Sequence, residues 1–337
     1  MINLYSDTQT TPTDGMRRAI AGAEVADEQR RRDPTTNALQ ERVAELLGQE
    51  AALFLPSGTM CNAIGFRLHL RPGGDEVILH ESYHPIVAEA GGPAAISHAM
   101  LRQLPGAGGI FSAAQVEAAI RPEDRYQPRS RLLSVEQTTN LAGGRVWALE
   151  RIREVLDVAR RSGLRAHLDG ARLMNAVVAS GTSAASFASG FDTAWIDFSK
   201  GLGAPIGAVL AGSRELMEEA WRFKQMWGGS FRQSGIVAAA CLYALDHHVE
   251  RLAEDHENAR HLAEGLAQLP GVEIDPGSVE TNIVVAEVPD AAGLAARLAE
   301  RGVEVSTPGG RLRCVTHLDV DRRGIEGALA AFRDALG

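Results

Sequence analysis

Three short segments of the 337-residue chain carry residue types that could do chemistry. In Asp197-Phe-Ser-Lys200-Gly-Leu-Gly, a lysine stands where an apolar stretch runs out into a glycine-rich loop. Burial there would favour the neutral amine, a nucleophile for a carbonyl carbon. The order Ser-Lys-Gly is not the Gly-Lys-Ser/Thr of a nucleotide-binding P-loop. Leu164-Arg-Ala-His-Leu-Asp169-Gly-Ala-Arg172 delivers an acid and an arginine at the end of a short strand. Open α/β sheets bind ligands at the carboxyl ends of their strands, so that position is informative. Phe54-Leu-Pro-Ser57-Gly58-Thr59-Met-Cys-Asn62 reads as a strand, a small-residue turn and a helix start. The free N–H groups of such a start, with the Ser57 and Thr59 hydroxyls, make an anion cradle. Taken singly, each has a plainer explanation. Lys200 is then a solvated lysine, Asp169 a helix cap with Arg172 paired to a surface acid, and Ser57 or Thr59 an N-cap.

The elements that must position these residues follow from periodicity. Ala51–Leu55, Glu76–Leu79, Arg131–Val135, Leu164–Leu168, Thr193–Phe198 and Ala208–Ala211 are short, mostly continuous apolar runs, as expected for strands covered on both faces. Helix-period segments between most of them imply crossover units and a largely parallel sheet. One is Thr36–Leu47, with Leu39, Val43, Leu46 and Leu47 on one stripe, a cap from Thr35 or Thr36, and Gly48 at its end. A long charged helix over Val249–Leu269 then leads to strands at Thr281–Val288 and Arg313–Val315. The expected architecture is α/β, with residues 1–250 as a large domain and 251–337 as a small α+β one. Hydrophobic residues at 45% place the chain among ordinary globular proteins. A formal charge of −9 argues against a nucleic-acid partner. Three cysteines, far apart and without C-x-x-C spacing, suggest neither a disulfide framework nor a zinc site, and no metal is expected. The cytoplasm is the expected compartment, with no membrane segment and no export signal in view.

An amine, a carboxylate and a phosphate cradle together are the demands of pyridoxal phosphate. The amine takes the aldehyde, the acid the pyridine nitrogen, and the helix start the phosphate. The chain in fact resembles the threonine aldolases of the fold-type I pyridoxal phosphate enzymes, in the aromatic amino acid β-eliminating lyase/threonine aldolase family. The resemblance runs through Ser6-Asp7-Thr8, Asp33-Pro-Thr-Thr-Asn-Ala-Leu, Phe54-Leu-Pro-Ser-Gly-Thr, His167-Leu-Asp-Gly-Ala-Arg172, Ser199-Lys-Gly-Leu-Gly, Gly228-Gly-Ser-Phe-Arg-Gln-Ser-Gly235, Glu254-Asp-His-Glu-Asn-Ala and Arg313-Cys-Val-Thr-His-Leu-Asp319.

That resemblance implies roles residue by residue. Lys200 is the lysine that bonds the cofactor aldehyde, and Asp169 is the partner of the pyridine nitrogen. Arg172 sits by the ring oxygen, Ser57, Gly58 and Thr59 form the phosphate cradle, and His84 is the imidazole against the ring. Ser6 and Arg313 hold the substrate carboxylate, an arginine fork suiting a bidentate grip. Arg232 reaches the active site of a neighbouring subunit, which implies a homodimer or homotetramer with sites at the interface. The implied reaction is cleavage of a β-hydroxy-α-amino acid to glycine and an aldehyde, with His84 or a held water as base. Departures from the family pattern bear on the substrate. Arg30, followed by Arg31 and Arg32, stands in place of a tyrosine, Thr11 where a basic residue is common, and Gln137-Thr-Thr-Asn140 in place of Asn-Thr-His-Asn. Tyr126 stands where many members carry a histidine near the substrate hydroxyl, and tyrosine is a poor base near neutrality, with a reference pKa of about 10. The plain reading of the arginines is a solvated run. The sharper one turns Arg30 toward the substrate side chain and an acidic substituent. The alternatives are β-elimination, dehydration or glycyl transfer on the same scaffold, and a non-catalytic binding protein, against which intact Lys200 and Asp169 argue.

Overall fold

A two-residue strand, β1 (Ile2–Asn3), precedes the main sheet of this computed structural model, which describes residues 1–337. The main sheet comprises β2 (Ala51–Leu55), β3 (Asp75–His80), β4 (Met100–Leu104), β5 (Arg129–Glu136), β6 (Arg165–Asp169), β7 (Thr193–Asp197) and β8 (Ala208–Gly212). Their order is β2-β8-β7-β6-β5-β3-β4, and only β8 runs against the rest. β3, β7 and β8 are buried along their whole length, the consequence of helices on both faces. The register sets Glu136 of β5 opposite Asp169 of β6, so two acids reach the carboxyl edge side by side.

The helix Pro34–Leu47 starts earlier than its apolar stripe suggests. Asp33, rather than a threonine, is its cap, accepting from Thr36 N at 2.9 Å, with Pro34 in the first turn where a missing N–H costs nothing. Gly48 ends it at φ 63°, a left-handed position that suits glycine. The helix expected over Val249–Leu269 is Leu252–Leu266, shorter at both ends, and a separate helix, Gly235–His247, precedes it. The break falls at His248, whose Nδ1 donates to Leu202 O at 2.7 Å, a tertiary bond that outweighs local propensity.

Towards the C-terminus, β9 (Ile283–Ala286) and β11 (Leu312–Val315) pair antiparallel, while β10 (Val303–Glu304) pairs parallel with β1. Three apolar clusters result, the least of them around Leu53, Trp195 and Phe223. The largest surrounds the main sheet with Phe54, Phe66, Trp147 and Phe198. The second joins Leu262, Leu298 and Phe332 to Leu4. The first residues of the chain thus pack with the last. Leu4 N donates to Glu304 O at 2.8 Å, and Val315 N donates to Leu4 O at 2.9 Å. No helix is long and apolar enough to cross a membrane.

Candidate active site

Asp169 is the last residue of β6, and Lys200 follows the end of the adjacent β7, so both line one cavity of about 310 Å³. Ser57, Gly58, Thr59 and His84 line the same cavity, together with Thr8, Thr10, Trp195 and Asp197. Its size falls at the lower end of small-ligand pockets. A larger cavity of about 480 Å³ lies elsewhere, by Gly108, Arg145 and Arg311, and holds none of the expected residues. Its Arg145 is already spent on Glu280 at 2.8 Å and Ser278 O at 2.7 Å.

Lys200 is 15% exposed, and its Nζ lies 2.9 Å from Asp197 Oδ2. The amine therefore faces a carboxylate rather than an apolar wall. Thr10 Oγ1 donates to Lys200 O at 2.9 Å and fixes the loop behind it. Asp169 is 2% exposed and accepts from Asn62 Nδ2 at 2.8 Å and Ala171 N at 3.0 Å. Burial pushes its pKa up, and Lys200, the Asn62 hydrogen bond and His84 only partly offset this. Glu136 beside it rises to about 7, by burial first and then by the charge of Asp169. It accepts from the backbone N–H groups of His84 at 2.8 Å and Asn140 at 2.7 Å.

Ser57 caps the helix Gly58–His69 by accepting from Met60 N at 3.2 Å, leaving the N–H groups of Gly58 and Thr59, residues that line the cavity, without an intrahelical partner. At Gly58 an added Cβ would lie 2.3 Å from the Trp195 ring, so a side chain would crowd the cradle. A buried carboxylate, an amine and a helix start stripped of side chain at its first residue fit an aldehyde, a basic ring nitrogen and a phosphate on one small molecule.

Arg172 is buried and points away from the surface acid that sequence alone allowed. Its Nε and Nη2 donate to the two oxygens of Asp7 at 2.7 and 2.6 Å, and its Nη1 to Asn140 Oδ1 at 3.3 Å. Asp7 has its pKa held well below the carboxylate range, because Arg172 outweighs the opposing effect of complete burial. Arg313 Nη2 donates to the same Asn140 oxygen at 2.7 Å, and its Nε is buried without a partner. Burial and the neighbouring Arg172 lower the Arg313 pKa to about 10. Ser6 caps the single turn Asp7–Gln9, its Oγ accepting from Thr8 N at 3.2 Å.

Ser6, Arg172 and Arg313 do not line this cavity, and three more expected residues stand exposed outside it. Tyr126 is 79% exposed, and its hydroxyl meets only Arg125. Arg30 is exposed, as are Arg31 and Arg32, and Arg31 pairs with Glu218. Arg232 is exposed and donates to Gln29 Oε1 at 3.0 Å. Sequence reading missed Asp7, Asn62, Glu89, Glu136, Asn140 and Asp197 as site residues. Asn62 left one trace, a polar residue among the apolar ones of its helix, and Asp7 another, inside Ser6-Asp-Thr8.

The main sheet, with β8 alone reversed, is a fold shared with solved enzyme structures. Threonine aldolase from Leishmania major superposes with a TM-score of 0.86 at 19% identity over 100% of both chains. Aspartate aminotransferase from Rhizobium meliloti does so with a TM-score of 0.72 at 17% identity over 99% of this chain and 91% of that one. The sequence model of the beta-eliminating lyase family matches residues 3–289, and the chain belongs to that family. Among its relatives, low-specificity L-threonine aldolase 1 of Arabidopsis thaliana is 36% identical, covering 99% of this chain and 96% of that protein. The low specificity L-threonine aldolase of Escherichia coli K12 is 39% identical, covering 99% and 98%.

Proposed function

We propose that the chain is a pyridoxal phosphate-dependent carbon–carbon lyase that cleaves a β-hydroxy-α-amino acid of the threonine type to glycine and an aldehyde. The observation that carries this is the meeting of Lys200, Asp169 and the Ser57–Thr59 helix start in one cavity. When bound, pyridoxal phosphate supplies an electron-withdrawing ring that accepts the electron pair released at Cα. Lys200 would hold the cofactor aldehyde, and Asp197 keeps its amine in place. Asp169 would face the ring nitrogen, and its two hydrogen bonds fix its carboxylate. Ser57, Gly58 and Thr59 would hold the phosphate, and Arg172, now bonded to Asp7 and Asn140, would stand nearest the ring oxygen. Ser6 and Arg313 take the substrate carboxylate, a role supported by the unpartnered buried Nε of Arg313. His84, or a water it holds, removes the β-hydroxyl proton.

The working unit in this reading is a homodimer or homotetramer whose sites lie at subunit interfaces. The exposure of Arg232 outside its own cavity supports a role across that interface, and Arg30 reaches a site only by the same route. Residues 251–337 form the smaller domain, supported by an apolar cluster of their own, to which Leu4 is added. The three cysteines are buried free thiols, in keeping with a cytoplasmic protein.

The test is aldehyde and glycine release from L-threonine and L-allo-threonine by the purified protein supplied with pyridoxal phosphate, alongside Lys200→Ala. Product formation that vanishes in the variant is expected. Ammonia and a keto acid instead of glycine would replace cleavage by elimination, and a protein that binds no cofactor would remove the reading altogether.

A further inference from the structure

His84 is held by a carboxylate that the reaction scheme above leaves without a role. Its Nδ1 lies 2.9 Å from Oε1 of Glu89, whose side chain is almost wholly buried. The same oxygen accepts from Asn62 Nδ2 at 2.8 Å, and that amide nitrogen also donates to Asp169 at 2.8 Å. The orientation of Asn62 is forced. Its Oδ1 faces Trp195 Nε1 at 2.9 Å, and an indole nitrogen only donates, so the amide nitrogen must face the two acids. Between Glu89 and Gly91 the chain turns through Ala90 at φ 52°, a left-handed conformation unfavourable for any residue with a Cβ. The turn sends the Glu89 side chain inward beneath the imidazole.

We propose that Glu89 is the positioning residue of His84. It holds the proton on Nδ1, so that Nε2 is the ring nitrogen offered to the cavity, and through Asn62 it locks that ring to Asp169. A carboxylate on one ring nitrogen fixes the tautomer and raises the basicity of the other. This rests on the reading of His84 as the group that moves a proton, but its structural half can be measured without turnover.

The groups facing His84 are Glu89, Asp169 from β6, Lys200 from the loop after β7, and Glu136 at its backbone N–H. Burial alone would lower the imidazole pKa. The Glu89 hydrogen bond and the charges of Asp169 and Glu89 reverse this and leave it above the usual histidine value. Neutralising Glu89 therefore moves the His84 midpoint down.

The experiment is nitrogen-15 NMR of histidine-labelled full-length protein, titrated with and without pyridoxal phosphate, with His84 assigned from His84→Asn. In the unaltered protein the neutral ring carries its proton on Nδ1. A dominant Nε2–H form overturns the proposal whatever the variants do. In Glu89→Gln, the midpoint drops and the tautomer preference weakens, while Glu89→Asp, which keeps the charge, stays closer to the parent. An unchanged midpoint in a folded Glu89→Gln protein also overturns it. In turnover, Glu89→Gln lowers kcat by at least about tenfold and carries the acid limb of the pH profile to lower pH. It causes no further loss in a His84→Phe background. A purely structural lesion would depress the rate with the limb unmoved. Should Lys200→Ala leave turnover intact, the functional reading fails, and the NMR result still stands by itself.

Discussion

Asp7 and Arg172 form an ion pair at zero and 3% side-chain exposure, and no water replaces either partner if the other is removed. Breaking such a pair costs about 3–5 kcal/mol, chiefly the burden of a stranded buried charge. Asp7→Asn should lower the denaturation midpoint accordingly and, by freeing Arg172 and through it Asn140 and Arg313, raise KM for the amino acid more than it lowers kcat. The pH dependence has a definite sign. The folded Asp7 pKa lies below the unfolded value of about 3.9, so its contribution is complete above that value and is lost as pH falls through the folded one. The gap in stability between parent and variant therefore narrows only under strong acid. A gap that closed near neutrality, in chemical denaturation followed across pH, would assign the effect elsewhere. At this scale the sequence was legible where a polar residue ends an apolar run, as with Lys200, Asp169 and Ser57. Glu89, Glu136 and Asn140 lie in unremarkable surroundings, and only folding reveals that Glu136 caps two backbone N–H groups or that Asn140 joins two guanidiniums.

The strands that carry the site are readable because both faces are buried. Ala51–Leu55 coincides with β2, and the other five expected runs match β3 and β5–β8 to within two residues. β4 escaped notice because Met100-Leu-Arg-Gln-Leu104 is an edge strand, mostly exposed, whose polar residues blur any apolar run. How closely these strands approach at the ligand edge is likewise invisible in a pattern of residue types. At Gly170, just past β6, an added Cβ would sit 1.8 Å from Trp195 O of β7, a backbone atom that cannot step aside. Gly170→Ala should therefore destabilise by about 3 kcal/mol and separate Asp169 from Lys200. Urea denaturation measures the first effect. Cofactor affinity, followed by visible absorbance, measures the second, and a Gly170→Ala protein that binds pyridoxal phosphate normally would show that the two strand ends tolerate a wider gap than packing allows.

Over the whole molecule, the N-terminal segment links the two largest apolar clusters. Leu4 is anchored in the C-terminal one, and a few residues later Asp7 and Thr10 brace Arg172 and Lys200 at the edge of the one around the main sheet. This long-range return had no sequence signal beyond Ser6-Asp-Thr8, since β1 is too short to show periodicity. A completed site, however, takes more than one chain in the proposed assembly. In a two-fold arrangement the same surface serves both subunits, so Arg232 of each chain would complete the site built on the Lys200 of the other. Two inactive proteins then become complementary. Chains carrying Lys200→Ala keep a usable Arg232, and chains carrying Arg232→Ala keep a usable Lys200. After co-refolding in equal amounts, half of the dimers are mixed and each mixed dimer holds one intact site, giving about a quarter of the parental activity. If Arg232 served its own chain, mixing would restore nothing beyond the residual activity of the Arg232→Ala protein, whatever the subunit number found by light scattering.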